Sequence, residues 1–166
     1  MSLLLGNLVF TVVVPVAGGG YVPWLILTRH GAAPAPAAWY ATAVIAAGIV
    51  LYLSCVWFFG TAGRGTPGTW DPPRRLVAAG PYRWVRNPIY LAALLIVAGE
   101  AWLFFSPALL AYAAALAVAF HLLVTCYEEP TLRARFGQPY ETYRRTVRRW
   151  LPRRRQNQLW WLGRRS

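Results

Sequence analysis

The chain has 166 residues and a formal net charge of +12, yet only 13% of its residues are charged and 57% are hydrophobic. A soluble domain carries about 25% charged residues, so this composition excludes an ordinary soluble fold and indicates a membrane protein. All of the basic side chains that carry the charge are arginine. They favour anionic lipid head groups over nucleic acid as a partner, because apolar spans flank the first basic segment.

Residues 1–60 contain two predicted transmembrane helices, because uncharged apolar runs of about 20 residues are long enough to cross a bilayer. The first span runs from Leu3 to Leu27. Pro15 and the glycine triplet at 18–20 predict a kinked or partly broken helix there. The second span runs from Ala37 to Gly60, and residues 61–87 form a connector too polar to cross the membrane.

Residues 88–127 form a predicted transmembrane hairpin. Its first helix begins at Pro88, whose missing N–H is not needed at a first helical position, and runs to about Phe105. Ser106-Pro107 is a tight turn, and the fourth span follows from Pro107 to Tyr127. The predicted fold class is therefore all-α, a polytopic membrane protein with about four transmembrane helices and a tight hairpin between the third and the fourth.

Residues 128–166 form a basic tail that is predicted to complete the site. After Gly137, one helical stripe is aromatic and apolar and consists of Tyr140, Tyr143, Val147 and Trp150. The opposite face is basic and consists of Arg144, Arg145, Arg148 and Arg149. This pattern predicts an amphipathic interfacial helix with its aromatic residues at head-group depth and its arginines against anionic lipid. The Trp160-Trp161 pair with Arg164 and Arg165 predicts a second anchor.

The distribution of arginine predicts the orientation of the chain. With four spans, the N-terminus, the connector and the tail lie on one side and carry all of the 17 arginines except Arg29. The positive-inside rule makes that side cytoplasmic. We therefore expect a multi-pass protein of a bacterial inner membrane or an equivalent membrane, with both termini in the cytoplasm.

Two polar clusters meet at the cytoplasmic end of the predicted hairpin. One is GPYRWVRNPIY at residues 80–90, and the other is YEEP at residues 127–130. Paired acids beside arginines at the mouth of a helix bundle fit a site for a zwitterionic or cationic ligand. They also fit a collar of salt bridges at the membrane boundary, which the spacing alone slightly favours, and both interpretations stay open.

These clusters, followed by the FG-x-x-Y-x-x-Y segment at 136–143, resemble the isoprenylcysteine carboxyl methyltransferase and phospholipid methyltransferase superfamily. The resemblance covers roughly residues 76–152. It implies an integral-membrane enzyme that transfers a methyl group from S-adenosylmethionine to a lipophilic acceptor, either isoprenylcysteine-carboxylate-like or lipid-like. Family enzymes usually have histidine where this chain has Asn87. Asparagine keeps the hydrogen-bonding capacity but does not titrate near neutral pH.

The resemblance also implies which residues bind the cofactor: Tyr82, Arg86, Asn87, Pro88, Tyr90, Glu128 and Glu129. S-adenosylmethionine carries a sulfonium, an ammonium and a carboxylate, so carboxylates suit its cationic groups and an arginine suits its carboxylate. Glu129 is also a candidate catalytic residue, as the proton acceptor for an amine or phenol. Arg133, one turn beyond, is a second catalytic candidate that holds Glu129 or orients an anionic acceptor.

Two ionisable residues lie inside the predicted spans, where such residues are candidates for function. Glu100 lies 12 residues into the third span, roughly 18 Å from its start at 1.5 Å per residue. His121 lies seven residues before Glu128, roughly 10 Å deep by the same rise. Two interpretations of His121 stay open, a hydrogen bond to a neighbouring helix or a place in the substrate pocket beneath the cofactor.

Two further function classes stay open. A membrane reductase of the steroid-reductase type has a related helical plan and would bind NADPH at the same face. A lipid-binding or scaffold protein without enzymatic activity would use its charges only to set topology. No metal site is predicted, because the two cysteines do not form a metal-ligand pattern, and the sequence indicates neither the methyl acceptor nor the oligomeric state.

Overall fold

The computed structural model of the protein describes residues 16–30, 39–63 and 76–152. The predictions for Leu3 to Pro15, for the middle of the connector and for the Trp160-Trp161 anchor lie outside the described residues. The described residues are helical, apart from short turns and one isolated bridge between Val85 and Arg148. The predicted all-α class is confirmed for this part of the chain.

The first described helix contains the glycine triplet. A π-helical turn, Ala17–Tyr21, leads directly into α1, Val22–His30. Single π-turns interrupt otherwise regular helices and widen them locally. The predicted partial break is therefore not present at the glycines, because the helix continues through them as a π-turn.

Helices α2 and α3 form the main helix pair. α2 spans Trp39–Phe58 and continues through a π-turn, Phe59–Gly63. α3 spans Pro88–Leu103 and has its proline in the first turn, as the sequence predicts. A short 3₁₀ helix, Gly80–Arg83, precedes α3 and packs against α2. This arrangement places the 80–90 segment at one end of the pair.

Glycines allow the close approach of α2 and α3. A Cβ atom added at Gly48 would lie 2.8 Å from Ile96 Cγ1 and 3.0 Å from the carbonyl oxygen of Ala92. A Cβ atom added at Gly99 would lie 2.6 Å from Ile45 Cγ1. Small residues at such interfaces let helix backbones pack closely inside a membrane.

Replacing Gly48 with leucine should therefore lower the stability of the helix pair. Overpacking of a tight interface costs about 2 kcal/mol, and the carbonyl of Ala92 cannot move away without bending α3. Thermal unfolding of the purified protein in detergent measures the effect. Ala47→Leu is the matched control, because Ala47 is exposed on the same helix; equal losses in both variants would contradict packing through Gly48.

The predicted hairpin between the third and fourth spans is confirmed. α3 ends at Leu103, and α4, Pro107–Leu123, begins after three residues. Ser106 caps α4, because its hydroxyl oxygen accepts a hydrogen bond of 3.3 Å from the Leu109 N–H. The chain reverses through Phe105, which has a φ of 44°.

The helix of the fourth predicted span continues beyond Tyr127, the last residue predicted for that span. A π-turn, Val124–Glu128, carries α4 directly into α5, Glu129–Phe136. The irregular turn comes just before Pro130, which has no N–H and whose ring clashes with the carbonyl four residues earlier in a regular helix. The helical run therefore continues through the paired glutamates.

Within the described residues, two helical runs are long and apolar enough to cross a membrane, Trp39–Gly63 and Pro107–Phe136. α3 is apolar but has 16 residues, so it is about 24 Å long against a hydrocarbon core of about 30 Å. Most of the predicted first span lies outside the described residues. The four-span count therefore stays a prediction.

The amphipathic tail helix exists, but its apolar stripe faces the protein. α6 spans Gln138–Thr146, and within it Tyr140 is 2% and Tyr143 4% exposed. Together with Val147 they pack against Leu76, Ala78, Leu132 and Phe136. These three side chains thus contact the protein and not lipid, Trp150 lies beyond the end of the helix, and the head-group depth stays a prediction. Periodicity shows which face is apolar, not what covers it.

Candidate functional site

A cleft opens where α3 begins and where the α4 run passes its π-turn. Its polar lining consists of Tyr82, Arg86, Asn87, Tyr90, Glu128, Tyr140 and Tyr143. The cavity volume of the cleft is about 100 Å³, and the cleft is open at its mouth. Pockets for drug-sized ligands are about 300–1,000 Å³, so a ligand of that size would fill the mouth as well as the interior.

The structure brings most of the predicted cofactor residues together. Five of them line the cleft, namely Tyr82, Arg86, Asn87, Tyr90 and Glu128. Pro88 is buried at the first turn of α3. Glu129 and Arg133 are not part of the lining, but they are connected to it through ion pairs. The two adjacent glutamates therefore occupy different environments.

Glu129 lies at the centre of a cluster of three arginines. The residue is 4% exposed. Its Oε1 atom lies 2.7 Å from Arg149 Nε and 3.2 Å from Arg86 Nη2, and its Oε2 atom lies 3.6 Å from Arg133 Nη2. Each guanidinium group stabilises the ionised carboxylate. This arrangement holds Arg86 at the wall of the cleft.

Arg86 has hydrogen-bonding groups left over after it pairs with Glu129. Its side chain is only 10% exposed. Its Nε and Nη1 atoms are buried and have no hydrogen-bond partner among the described residues. Buried polar groups are almost always paired, and an unpaired one costs about 1–3 kcal/mol or more when charged. A charged side chain at the wall of the cleft therefore has two unsatisfied N–H-bearing atoms among the described residues.

Glu128 faces the cleft from the opposite helix. Its carboxylate accepts a hydrogen bond from the Tyr90 hydroxyl, and the Tyr90 ring packs against Phe120 with 4.6 Å between ring centroids. Glu128 is the last residue of the π-turn. Such turns shift the side chains that follow and are frequent at functional sites. Here the turn ends at Glu128, which faces the cleft, and the next residue, Glu129, faces the arginines.

Buried tyrosines from α6 close the remaining wall. The Tyr143 hydroxyl donates a hydrogen bond of 2.7 Å to the Tyr82 carbonyl oxygen, which ties α6 to the 3₁₀ helix. Burial raises the pKa of Tyr82, Tyr140 and Tyr143 above the usual value for a phenol. These hydroxyls therefore stay protonated. Tyr140 and Tyr143 were not predicted as site residues, although the FG-x-x-Y-x-x-Y element contains both.

An extended segment after α6, residues 147–150, fastens the tail to the start of α3. The Arg86 N–H donates to the Arg148 carbonyl at 2.9 Å, and the Asn87 amide donates to the Arg149 carbonyl at 3.4 Å. The Arg149 side chain, for which the sequence predicts contact with anionic lipid, pairs with Glu129 in the structure. Nothing in the sequence distinguishes Arg149 from the arginines around it.

His121 lies apart from the other predicted site residues. It is exposed on α4, and its Nδ1 atom accepts a hydrogen bond of 3.3 Å from Trp150 Nε1. It is not part of the cleft lining. Of the two interpretations that the sequence leaves open, the structure shows a hydrogen bond to a neighbouring segment.

The fold and the cleft define an all-helical membrane protein with a polar binding cleft at one end of its helices. A family model described as phospholipid methyltransferase matches residues 36–139, more than half of the 166 residues. The chain belongs to the phospholipid methyltransferase family, which confirms the superfamily resemblance. Membership implies methyltransferase activity on lipid-like substrates in a membrane. Comparisons with the curated proteins and with the solved structures found no match.

Proposed function

We propose that the protein is a methyltransferase that binds S-adenosylmethionine in this cleft. The observation that carries the proposal is the buried Arg86 guanidinium group, whose Nε and Nη1 atoms have no partner among the described residues. Arginine binds carboxylates through paired N–H groups, and the cofactor carries a carboxylate. Phospholipid methyltransferases generally use S-adenosylmethionine.

The other residues of the cleft fit the same ligand. Glu128 supplies a carboxylate for the ammonium or the sulfonium group, and the rings of Phe59 and Phe136 supply apolar walls for the adenine. The bound cofactor would supply an electrophilic methyl group, and the protein would contribute alignment and exclusion of water. Glu129 and Arg149 act through Arg86 as positioning residues. Arg133 belongs to the same cluster and is more exposed, with 42% of its side chain accessible.

The proposed acceptor is a lipophilic molecule, such as a lipid or an isoprenylcysteine-like carboxylate, that enters from the bilayer. A second, almost wholly apolar cavity supports this class of acceptor. It begins one helical turn beyond Tyr90 and is lined by Ala93, Ile96, Leu116 and Phe120 among others. The arginines of the tail and the connector support a cytoplasmic location for the cleft.

Calorimetry on the purified full chain in detergent tests the proposal. We expect S-adenosylhomocysteine to bind and NADPH not to bind. Arg86→Gln should lower the affinity for S-adenosylhomocysteine at least about tenfold, the equivalent of one charge-assisted hydrogen bond. Arg83→Gln is the matched control, because Arg83 is exposed and is not part of the cleft lining.

The alternatives predict different results in the same experiment. Binding of NADPH without S-adenosylhomocysteine would favour a membrane reductase. Binding of neither would favour a protein that only binds lipid. Transfer of a labelled methyl group from S-adenosylmethionine to a membrane lipid extract then identifies the acceptor class in wild-type protein, with Arg86→Gln as the inactive comparison.

A further inference from the structure

A second recess opens toward the opposite end of α3. It lies between the first described helix and α2, with α3 as its floor, and its volume is about 550 Å³. We call it the lateral groove. Its lining is mainly apolar and includes Val16, Ile45, Ile49 and Ile96. The acidic residue in it is Glu100, ten residues after Tyr90 and thus roughly 15 Å from the cleft along α3.

Glu100 has an unsatisfied oxygen atom. Its Oε2 is buried and has no hydrogen-bond partner among the described residues. A buried carboxyl oxygen without a partner is costly unless a ligand compensates it. The groove beside the carboxyl group provides room for such a partner.

Two aromatic rings line the groove together with Glu100. Tyr21 and Trp24 are 58% and 56% exposed, and their ring centroids lie 5.9 Å apart. Aromatic faces attract cations, and a cluster of rings is the usual protein site for methylated ammonium groups. A carboxylate adds the opposite charge. The polar end of the groove is therefore complementary to an ammonium group.

The depth of Glu100 matches a lipid head group. Exposed Trp39 begins α2, and exposed Trp102 lies two residues beyond Glu100 near the end of α3. Tryptophans are enriched at the boundary between hydrocarbon and head groups. Ile49 lies ten residues after Trp39 and is therefore roughly 15 Å deeper. The groove thus runs from head-group level into the apolar part of the membrane.

We propose that the lateral groove binds a lipid with an ammonium head group, at a site separate from the methyltransferase cleft. The ammonium lies against Glu100 and the rings of Tyr21 and Trp24. The acyl chains extend along the deeper apolar wall. This site does not depend on the proposed cofactor, because none of its lining residues also lines the cleft.

Native mass spectrometry of the purified full chain, released from detergent micelles with added lipid, tests the site. Phosphatidylcholine should be retained at least about fivefold more than phosphatidylglycerol with the same acyl chains. Glu100→Gln should reduce this ratio to about one. Glu141→Gln is the matched control and should leave the ratio unchanged, because Glu141 pairs with Arg133 and Arg144 on the tail.

A second variant tests the groove without changing its charge. Ile49→Trp adds bulk to the deeper wall and should reduce retention of phosphatidylcholine at least about fivefold, so the site stays testable if Glu100→Gln does not fold. An equal ratio in wild type, or an unchanged ratio in a folded Glu100→Gln, would overturn the proposal. The proposal would also be overturned if soluble phosphocholine displaced the bound phosphatidylcholine at the same concentration as phosphatidylcholine itself. Glu100→Gln should still bind S-adenosylhomocysteine like wild type, which separates this test from that of the cleft.

Discussion

Replacing Glu129 with glutamine should destabilise the protein by about 3 kcal/mol, because removal of one partner from a buried ion pair leaves uncompensated charge and costs about 3–5 kcal/mol. Three arginines would lose their common carboxylate. We expect the lower end of the range, since Arg133 and Arg149 keep 42% and 29% of their side chains accessible and can be hydrated. Thermal unfolding in detergent micelles measures the loss.

The same substitution should weaken binding in the cleft. Arg86 would lose the contact that fixes its guanidinium group, and Arg149 would lose the contact between its side chain and α5. We therefore expect the affinity for S-adenosylhomocysteine to fall more than about tenfold. Trypsin should also cleave the tail after α6 faster than in wild type, since residues 147–150 would be held by backbone and Asn87 hydrogen bonds without the ion pair.

Glu141→Gln provides the matched control for both effects. Glu141 also pairs with two arginines, Arg133 at 3.2 Å and Arg144 at 2.9 Å, but 28% of its side chain is accessible. Surface pairs contribute about 0–1 kcal/mol, so its stability and its ligand affinity should stay close to those of wild type. Comparable losses in the two variants would show that burial of Glu129 has no special role.

The fold could be predicted from the sequence where the signal is local. The proline at the start of α3 and the Ser106-Pro107 turn each depend on neighbouring residues, and the structure confirms them. The end of the helix that contains the fourth predicted span could not be predicted in the same way. Hydropathy falls at Glu128, but the helix continues because a π-turn accommodates Pro130.

The candidate site could be predicted only in part, because long-range contacts decide which groups meet. The motif residues Arg86, Tyr90 and Glu128 line one cleft, as the resemblance implies. The different surroundings of Glu128 and Glu129 depend on the π-turn, which the pattern does not show. The contribution of Arg149 depends on an extended segment returning to α3 from 62 residues away, and one arginine in a basic run gives no sign of it.

Replacing Gly80 with alanine should cost about 3 kcal/mol and also perturb the cleft. Gly80 has a φ of 55°, a conformation that costs other residues about 1–2 kcal/mol. Its added Cβ would also overlap the ring of Phe58, and such overpacking costs a further free energy of about 1–3 kcal/mol. Because Gly80 begins the 3₁₀ helix that contains Tyr82, a shift there would also move the cleft wall. The midpoint temperature of thermal unfolding and the affinity for S-adenosylhomocysteine should both decrease.

Gly137→Ala separates the cost of the backbone conformation from the cost of the overlap with Phe58. Gly137 has a φ of 56°, nearly that of Gly80, but a Cβ there would meet nothing within 4 Å. It should therefore lose only the conformational part, about 1–2 kcal/mol. Adding Phe58→Leu to Gly80→Ala should recover part of the loss, since the smaller side chain makes room for the methyl group. If the two glycine variants were equally unstable and Phe58→Leu gave no recovery, backbone conformation alone would explain the glycine at position 80, and close packing of the 3₁₀ helix on α2 would not.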